Sequence, residues 1–431
     1  MSRLRLLPAA CLLAACAAFS PSAAAAQDDV AAIESSGTSW TPRAGMPGSH
    51  RSVGSWTVMI HGDAYGLALK ESGSVHHRGS GVASVNWFMG SATREAAGGR
   101  LTLRAMASAE PWTMRLCGYP DMLATGEVCE GDSIHDRQHP HDVLMELTAS
   151  YDRPLTRRAR LQVYGGPAGE AALGPTAFLH RVSAAGNPIA PIAHHWLDSS
   201  HVTFGVVTAA VYGRRWKVDG SVFNGREPDD RRRNVETGRW DAWSARATVA
   251  PSANVVLQVS GGHLPEAEAG LGTLPRQDVS RLTASASAVR GGPGGRVLAG
   301  TLAWGVVWGQ VNTGYSVASQ VSHAVLAEGS VDPQGPDHWF GRLEIAGKPA
   351  HDLHAEEFVP SVFTVGKVQL GYARALRTTG GVRVSAGATV SAGLLPPLLA
   401  PRYEGRVAPG AGVFIRIAPS GAATSHTTHD H

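Results

Sequence analysis

The sequence predicts an all-β chain folded as a single transmembrane, antiparallel up-and-down barrel of about sixteen strands, within a range of roughly 14 to 18. Three observations carry that prediction. Apolar and polar residues alternate with a period of two along much of the chain. Beyond its first residues, no segment reaches the roughly 18 consecutive apolar residues that a membrane-spanning helix requires. The links between candidate strands alternate short and long.

The alternation is plain in several places. Between 143 and 151, Val143, Met145, Leu147, Ala149 and Tyr151 oppose Leu144, Glu146, Thr148 and Ser150. Trp216, Val218 and Val222 oppose Lys217, Asp219 and Ser221, and Val368, Leu370 and Tyr372 oppose Lys367 and Gln369. Successive side chains of a strand point to opposite faces, so each segment reads as a two-faced strand. Short links at 96–99, 153–158, 213–215, 251–254, 291–295 and 378–381 alternate with long ones at 113–141, 167–201, 224–239, 262–278, 348–360 and 394–409. Short periplasmic turns and long outer loops occur in this order in a barrel of the outer membrane. The link from Glu328 to Asp337 is longer than a tight turn and leaves the count open by two.

Composition agrees. The chain has 431 residues, 17% of them charged, with 51 Gly and 11 Trp. Low charge suits a chain whose strands hide half their residues in lipid, and Trp56, Trp112, Trp216, Trp240 and Trp339 fall near expected strand ends, where bilayer interfaces favour them. The competing reading is a soluble two-sheet β-protein. A net charge of +3, with no basic stripe, argues against a nucleic-acid partner.

Residues 1–26 read as a signal peptide. Arg3 and Arg5 precede an apolar run from Leu6 to Phe19, and Ala24-Ala25-Ala26 offers a cleavage site. Leu13-Ala14-Ala15-Cys16 is an alternative lipoprotein box. Export is expected either way. Residues 27–54 are then a periplasmic N-terminal segment, 55–419 the barrel and 420–431 a flexible His-containing tail. Cys117 and Cys129 remain outside the leader, and an oxidising compartment predicts one disulfide between them.

The leader, the alternating strands and the turn–loop asymmetry together resemble the Gram-negative porin-like class of outer-membrane barrels, over roughly Ser55 to Pro419. That resemblance implies a place in the bacterial outer membrane, with lipid and lipopolysaccharide around the barrel and small solutes or ions inside. A homo-oligomer is compatible with it.

The face opposite the apolar one carries Arg104, Glu146, Lys217, Asp219, Arg246, Gln258, Arg281, Arg342, Glu344, Lys367, Gln369 and Arg416. Such groups need water or a partner. Small companions (Ala299, Thr301, Ala303, Gly305) leave space beside them, and about sixteen strands enclose enough room for an aqueous channel. The sequence is therefore read as a passive solute or ion channel. The alternative is a barrel plugged by its own loops that transports nothing and binds a metal or a surface partner.

Nineteen His residues add a metal-linked refinement. His135, His139, His141 and Asp142 end one long loop, and His194, His195 and His201, with Asp198 among them, close the next. Imidazole and carboxylate donors suit Cu or Zn. Loops that meet over a barrel mouth can share a site, although no cofactor is required by the sequence. His76-His77, His351-Asp352-Leu353-His354 and the tail His426, His429 and His431 are further candidates. The run from Arg226 to Arg233 reads as a self-paired solvated loop, or more sharply as a clamp on lipopolysaccharide phosphates. A barrel lipid hydrolase is the weakest reading. Ser199-Ser200-His201 and Ser322-His323 supply the atoms, but neighbours on one strand face opposite ways, and no nucleophile elbow is present.

Overall fold

The computed structural model describes residues 30–43, 49–71, 79–268, 275–291, 296–312 and 317–420. The leader, the His76-His77 pair and the terminal histidines lie outside these.

Two short strands, β1 (Ala32–Glu34) and β2 (Trp40–Pro42), form a hairpin ahead of the wall. The wall then runs through β3 (Ser49–Val53), β4 (Trp56–Glu71), β5 (Gly79–Ala83), β6 (Asn86–Ala96) and β7 (Gly99–Ala107). A long loop follows, holding the one-turn helix α1 (Glu110–Thr113) and a second hairpin, β8 (Tyr119–Cys129) with β9 (Asp132–Gln138). The wall resumes with β10 (Leu144–Pro154) and β11 (Arg160–Gly169), and helix α2 (His194–Leu197) lies in the loop after β11. Eleven further wall strands follow in sequence: β12 (Thr203–Tyr212), β13 (Trp216–Phe223), β14 (Ala242–Ser252), β15 (Val255–Glu268), β16 (Gln277–Arg290), β17 (Leu298–Asn312), β18 (Val317–Val331), β19 (Asp337–Pro349), β20 (Val362–Thr379), β21 (Val382–Leu394) and β22 (Val407–Pro419).

Every neighbouring pair in the wall is antiparallel, and the sheet closes where β22 pairs with β4. Two positions in the wall are composite. β5 and β6 together make one strand, pairing with the upper and lower halves of β4. β3 continues the line of β22, because β22 pairs with residues 64–71 of β4 and β3 with residues 56–60. Counted this way the closed barrel has sixteen positions.

The expected asymmetry of the two ends is present. Tight turns close one end, and Thr379 pairs with Val382 around Gly380-Gly381, both at positive φ. A two-residue hairpin turn of this hand requires positive φ twice, which glycine supplies without strain. The link flagged as long shrinks to 332–336, because β18 runs on to Val331. The wall itself begins at Ser49, six residues before the expected boundary, since β3 is needed to complete the line of β22.

Outward residues are apolar. Val218, Val259, Leu302, Leu343, Ile345, Leu370, Val390, Val413 and Ile415 are all exposed. Trp216 and Trp339 stand outward near the tight-turn end, with Trp243 and Trp308 towards the loop end. An apolar belt with an aromatic girdle at either margin is the surface a bilayer selects. His323 also faces outward and stacks on Trp304 at 6.0 Å, which gives an otherwise misplaced imidazole an aromatic partner.

Leu343 is half exposed at the middle of β19. Leu343→Arg is expected to destabilise the vesicle-inserted barrel by about 2–4 kcal/mol, as a cation near the midplane does. Denaturant unfolding in lipid vesicles measures this, and a neutral result would mean that this face does not meet lipid.

Candidate functional site: the filled lumen

All ten charged residues singled out for the lumen point inward, and the structure buries nearly all of them. Three parts of the chain cover them. The β1–β2 hairpin enters at the tight-turn end, the segment 108–143 descends from the loop end, and the segment 170–202 crosses between. Placing residues 27–54 outside the barrel therefore needs correction: residues 32–42 are buried almost throughout.

The hairpin is held by charge. Glu34 accepts from Lys217 Nζ at 2.7 Å and lies 3.2 Å from Arg104 Nη2. Lys217 also donates to Gln162 at 2.8 Å. Thr38 donates to Asp219 at 2.7 Å, and Arg246 closes the group by donating to both Asp219 (2.7 Å) and Thr38 (2.9 Å). Glu146 lies 3.9 Å from Arg104 and accepts from Tyr164 at 3.0 Å.

The crossing segment has its own anchor. Arg181 donates to Glu328 at 2.6 Å and to Asp198 at 2.5 Å, and Arg342 reaches the other oxygen of Glu328 at 3.1 Å. One wall carboxylate thus ties a wall arginine to a plug arginine. Glu344 accepts from the Ala193 amide at 3.0 Å, and Arg342 donates to the Ile189 carbonyl at 2.8 Å. Lys367 binds Asp121 of the descending hairpin and donates to the Met122 carbonyl at 3.1 Å. Arg416 pairs with Asp63 across the closing seam at 2.6 Å. Arg281 is the exception: it is buried with Nε and Nη1 lacking hydrogen-bond partners among the described residues.

Part of the filling is apolar. Met122, Leu123, Ile192, Trp196 and Leu197 pack on inward-facing Ala303, Leu326, Ala346, Phe363 and Val365. The small wall residues expected to leave pore space have another use. A side chain on Gly305 would stand 2.4 Å from the Trp196 carbonyl oxygen, so its size admits the segment that fills the barrel.

The metal candidates divide. His139, His141, His194, His195 and His201 gather near the loop end of the lumen, with successive ring centroids 6.4 Å (His139–His141), 5.4 Å (His141–His201), 4.9 Å (His201–His194), 5.5 Å (His194–His195) and 6.5 Å (His195–His139) apart. His135 is not among them; it packs on His354 at 3.7 Å. Asp142 turns to Arg232 at 3.5 Å, and burial, only partly offset by that arginine, pushes its carboxyl up to about 7. Burial lowers His194 to about 4 and His201 to about 3, keeping both neutral. For His141 burial acts the same way, but Glu110 at 3.0 Å outweighs it and raises the imidazole. Among the described residues, no group of three or more His, Cys, Asp or Glu is arranged to hold an ion.

Cys117 and Cys129 form the expected disulfide, with Cα atoms 5.7 Å apart, tying the residue two before β8 to the last residue of that strand at the hairpin turn. Arg226 pairs with Asp241 and Glu266, and Arg232 with Glu127. The Ser–His neighbours are directed apart: Ser200 donates to the Leu173 carbonyl, His201 Nδ1 meets the Asp198 carbonyl, and Ser322 accepts from Trp196.

Glu34, Glu110, Asp121, Arg181 and Glu328 complete these networks and were not singled out by sequence, whereas Asp198 was read only as a companion of the neighbouring histidines. Glu328 alone carried a signal, since it sits on the inward phase of its strand; the other four lie outside wall strands, where no period marks them.

No protein-family model matches the chain, and no curated protein matches it. Among solved structures, the outer membrane channel DcaP of Acinetobacter baumannii is similar over 86% of this chain and 99% of its own, with a TM-score of 0.50 at 8% identity. The anion-selective porin from Comamonas acidovorans (84% of this chain and 99% of that one, TM-score 0.49, 10% identity) and Salmonella typhi OmpF (86% and 99%, TM-score 0.48, 9% identity) are also matched.

Removing the shared carboxylate tests the network. Glu328→Gln leaves Arg181 and Arg342 facing each other without their common anion, a loss of about 3–5 kcal/mol for a broken buried pair. Proteolysis within 170–202 is expected to rise in the folded variant; unchanged protection would show that the crossing segment is held by its apolar contacts alone. Closed wall, lipid-facing belt and chain-length likeness agree, and this chain has the porin-like fold of bacterial outer-membrane barrels.

Proposed function

We propose that this chain is a passive solute or ion channel of the outer membrane, held closed by parts of itself that fold into the lumen. The observation that carries the reading is the pairing of inward charges with the plug: Glu34, Thr38, Asp121 and Arg181 engage Lys217, Asp219, Lys367 and Glu328. A wall built only to be filled has no need of so many ionised groups, because burying them costs more than apolar packing returns. A wall that also meets water keeps them. The likeness to DcaP, itself described as a channel, points the same way.

The finer part of this proposal is that a divalent transition metal acts at the outer loops. Its support is the gathering of five imidazoles where two long loops meet. A rival reading is favoured by one observation: the apolar packing of Trp196, Leu197 and Leu123 in the loop half of the barrel suits a permanently filled barrel that transports nothing.

Single-channel recording in a planar bilayer separates the two. The intact, inserted protein is expected to be mostly silent, with brief small openings. Deleting residues 30–43 removes Glu34 and Thr38 from the lumen and is expected to lengthen and enlarge the openings several-fold. Continuous large steps from the intact protein would overturn the closed state. Silence from a folded deletion variant would favour the non-transporting barrel.

A further inference from the structure

Imidazoles are common in polar loops, so proximity alone does not make a site. What distinguishes this group is how each ring is held. His141 Nδ1 lies 3.0 Å from Glu110 Oε2, His194 Nδ1 2.7 Å from Asp198 Oδ1, and His201 Nδ1 2.8 Å from the Asp198 carbonyl oxygen. His139 Nδ1 likewise faces the Pro140 carbonyl oxygen at 3.1 Å. A carbonyl only accepts, so the proton of a neutral ring sits on Nδ1 and Nε2 keeps its lone pair. The Nε2 atoms of His141 and His201 are buried with no hydrogen-bond partner among the described residues.

A buried imidazole with one nitrogen tied to a carboxylate or carbonyl and the other bare has the arrangement of a metal ligand with its supporting acceptor. Leaving the bare nitrogen without any partner costs free energy in the folded protein. A cation that accepts the lone pairs removes that cost. Spacing agrees for neighbouring rings. Tetrahedral Zn with Zn–N near 2.0–2.1 Å sets adjacent ring centroids about 5 Å apart, against 4.9 Å for His194–His201 and 5.4 Å for His141–His201.

We infer that His141, His194 and His201 form a binding site for one borderline transition-metal ion, Zn2+ or Cu2+, through their Nε2 atoms. His201 is the middle ligand. The three rings stand as a row and not yet as a triad around one point, so binding draws His141 and His194 in around His201. The ring of Phe178 lies 6.3, 5.4 and 5.8 Å from His141, His194 and His201, an apolar wall that keeps water off the site. Entry is from the loop end. A cavity of about 70 Å³ there is lined by Glu127, His195, Glu227, Glu268, His351 and Asp352, a carboxylate-rich approach that concentrates cations beside His195. His194 and His195 join this approach to the site at 5.5 Å.

The site stands whether or not the barrel conducts, and its test reads binding alone. Zn2+ and Cu2+ are titrated calorimetrically into the intact chain in detergent and into a triple variant of the tail, His426→Ala, His429→Ala and His431→Ala. One tight ion per chain is expected to survive the loss of the tail, with Cu2+ bound more tightly than Zn2+. In that background His201→Gln is expected to abolish tight binding. Glu110→Gln keeps every ligand and is expected to weaken binding about 10–100-fold, as losing a supporting carboxylate does. Heat-modifiable gel mobility confirms that each variant is a folded barrel. Should His201→Gln fail to fold, Glu110→Gln decides alone. Complete loss of binding in the tail variant, or binding unchanged by both His201→Gln and Glu110→Gln, would overturn the inference.

Discussion

The structure depends on one constraint: a charge on the inner face of a closed barrel has nowhere to go. On an open sheet a lysine can reach around to water, but here lipid covers the far side and the wall has no edge. Each inward charge must then be hydrated in the lumen or matched there. Glu328 shows how completely the second solution is used. It stands between Arg342 of the wall and Arg181 of the crossing segment, at 3.1 and 2.6 Å, so removing the segment would strip the wall of half its compensation. Around Glu34 the same arrangement recurs with the carboxylate on the filling, held between Lys217 and Arg104 of the wall. Wall and filling were therefore shaped together, and neither set of charges is intelligible alone.

Shape follows the same logic. Gly305 and Ala303 on β17 are small because Trp196 lies against them, and Gly174 is held by its amide, which donates to Ser260 Oγ of the wall at 2.8 Å. Strands that face lipid on one side and a packed segment on the other need size variation only inward. This is why the outer face reads as a plain run of Val, Leu and Ile, while the inner face mixes glycine, alanine and charge.

The fold was legible because it rests on local period. Residues 143–151 alternate, and β10 indeed turns Glu146, Thr148 and Ser150 inward and Leu147 and Ala149 outward. The turns were legible where geometry demands glycine, as at Gly380-Gly381. The filling was not. Glu34, Asp121 and Arg181 sit in segments with no period, and their partners lie 183, 246 and 147 positions away in sequence. The same small residues that fit a pore also fit a plug, and the sequence carries nothing to tell solvent from protein on that face. The histidines were partly legible. Pro140 and the short spacings placed His139 and His141 together, but only the folded loop shows that His135 leaves the group for His354 and that Asp198, rather than Asp142, supports the rings.

The two halves of the lumen differ in what opening would cost. Towards the tight turns the hairpin of residues 32–42 is held by ion pairs and hydrogen bonds, with a small apolar contact of Ala32 and Trp40 on Tyr212, Ala250 and Val256. Exchanging these for water is close to balanced, since a buried pair gains little over two hydrated charges. Towards the loops, Leu123, Ile192, Trp196 and Leu197 would expose apolar surface at about 25 cal/mol per Å², with no compensating hydration. In the proposed channel, opening would therefore be graded along the axis: the charged half would yield more readily, and the apolar half with its imidazoles would resist more. A bound cation there would act on the half that resists, which is where a regulator has the most leverage over a lumen whose other end is already near balance.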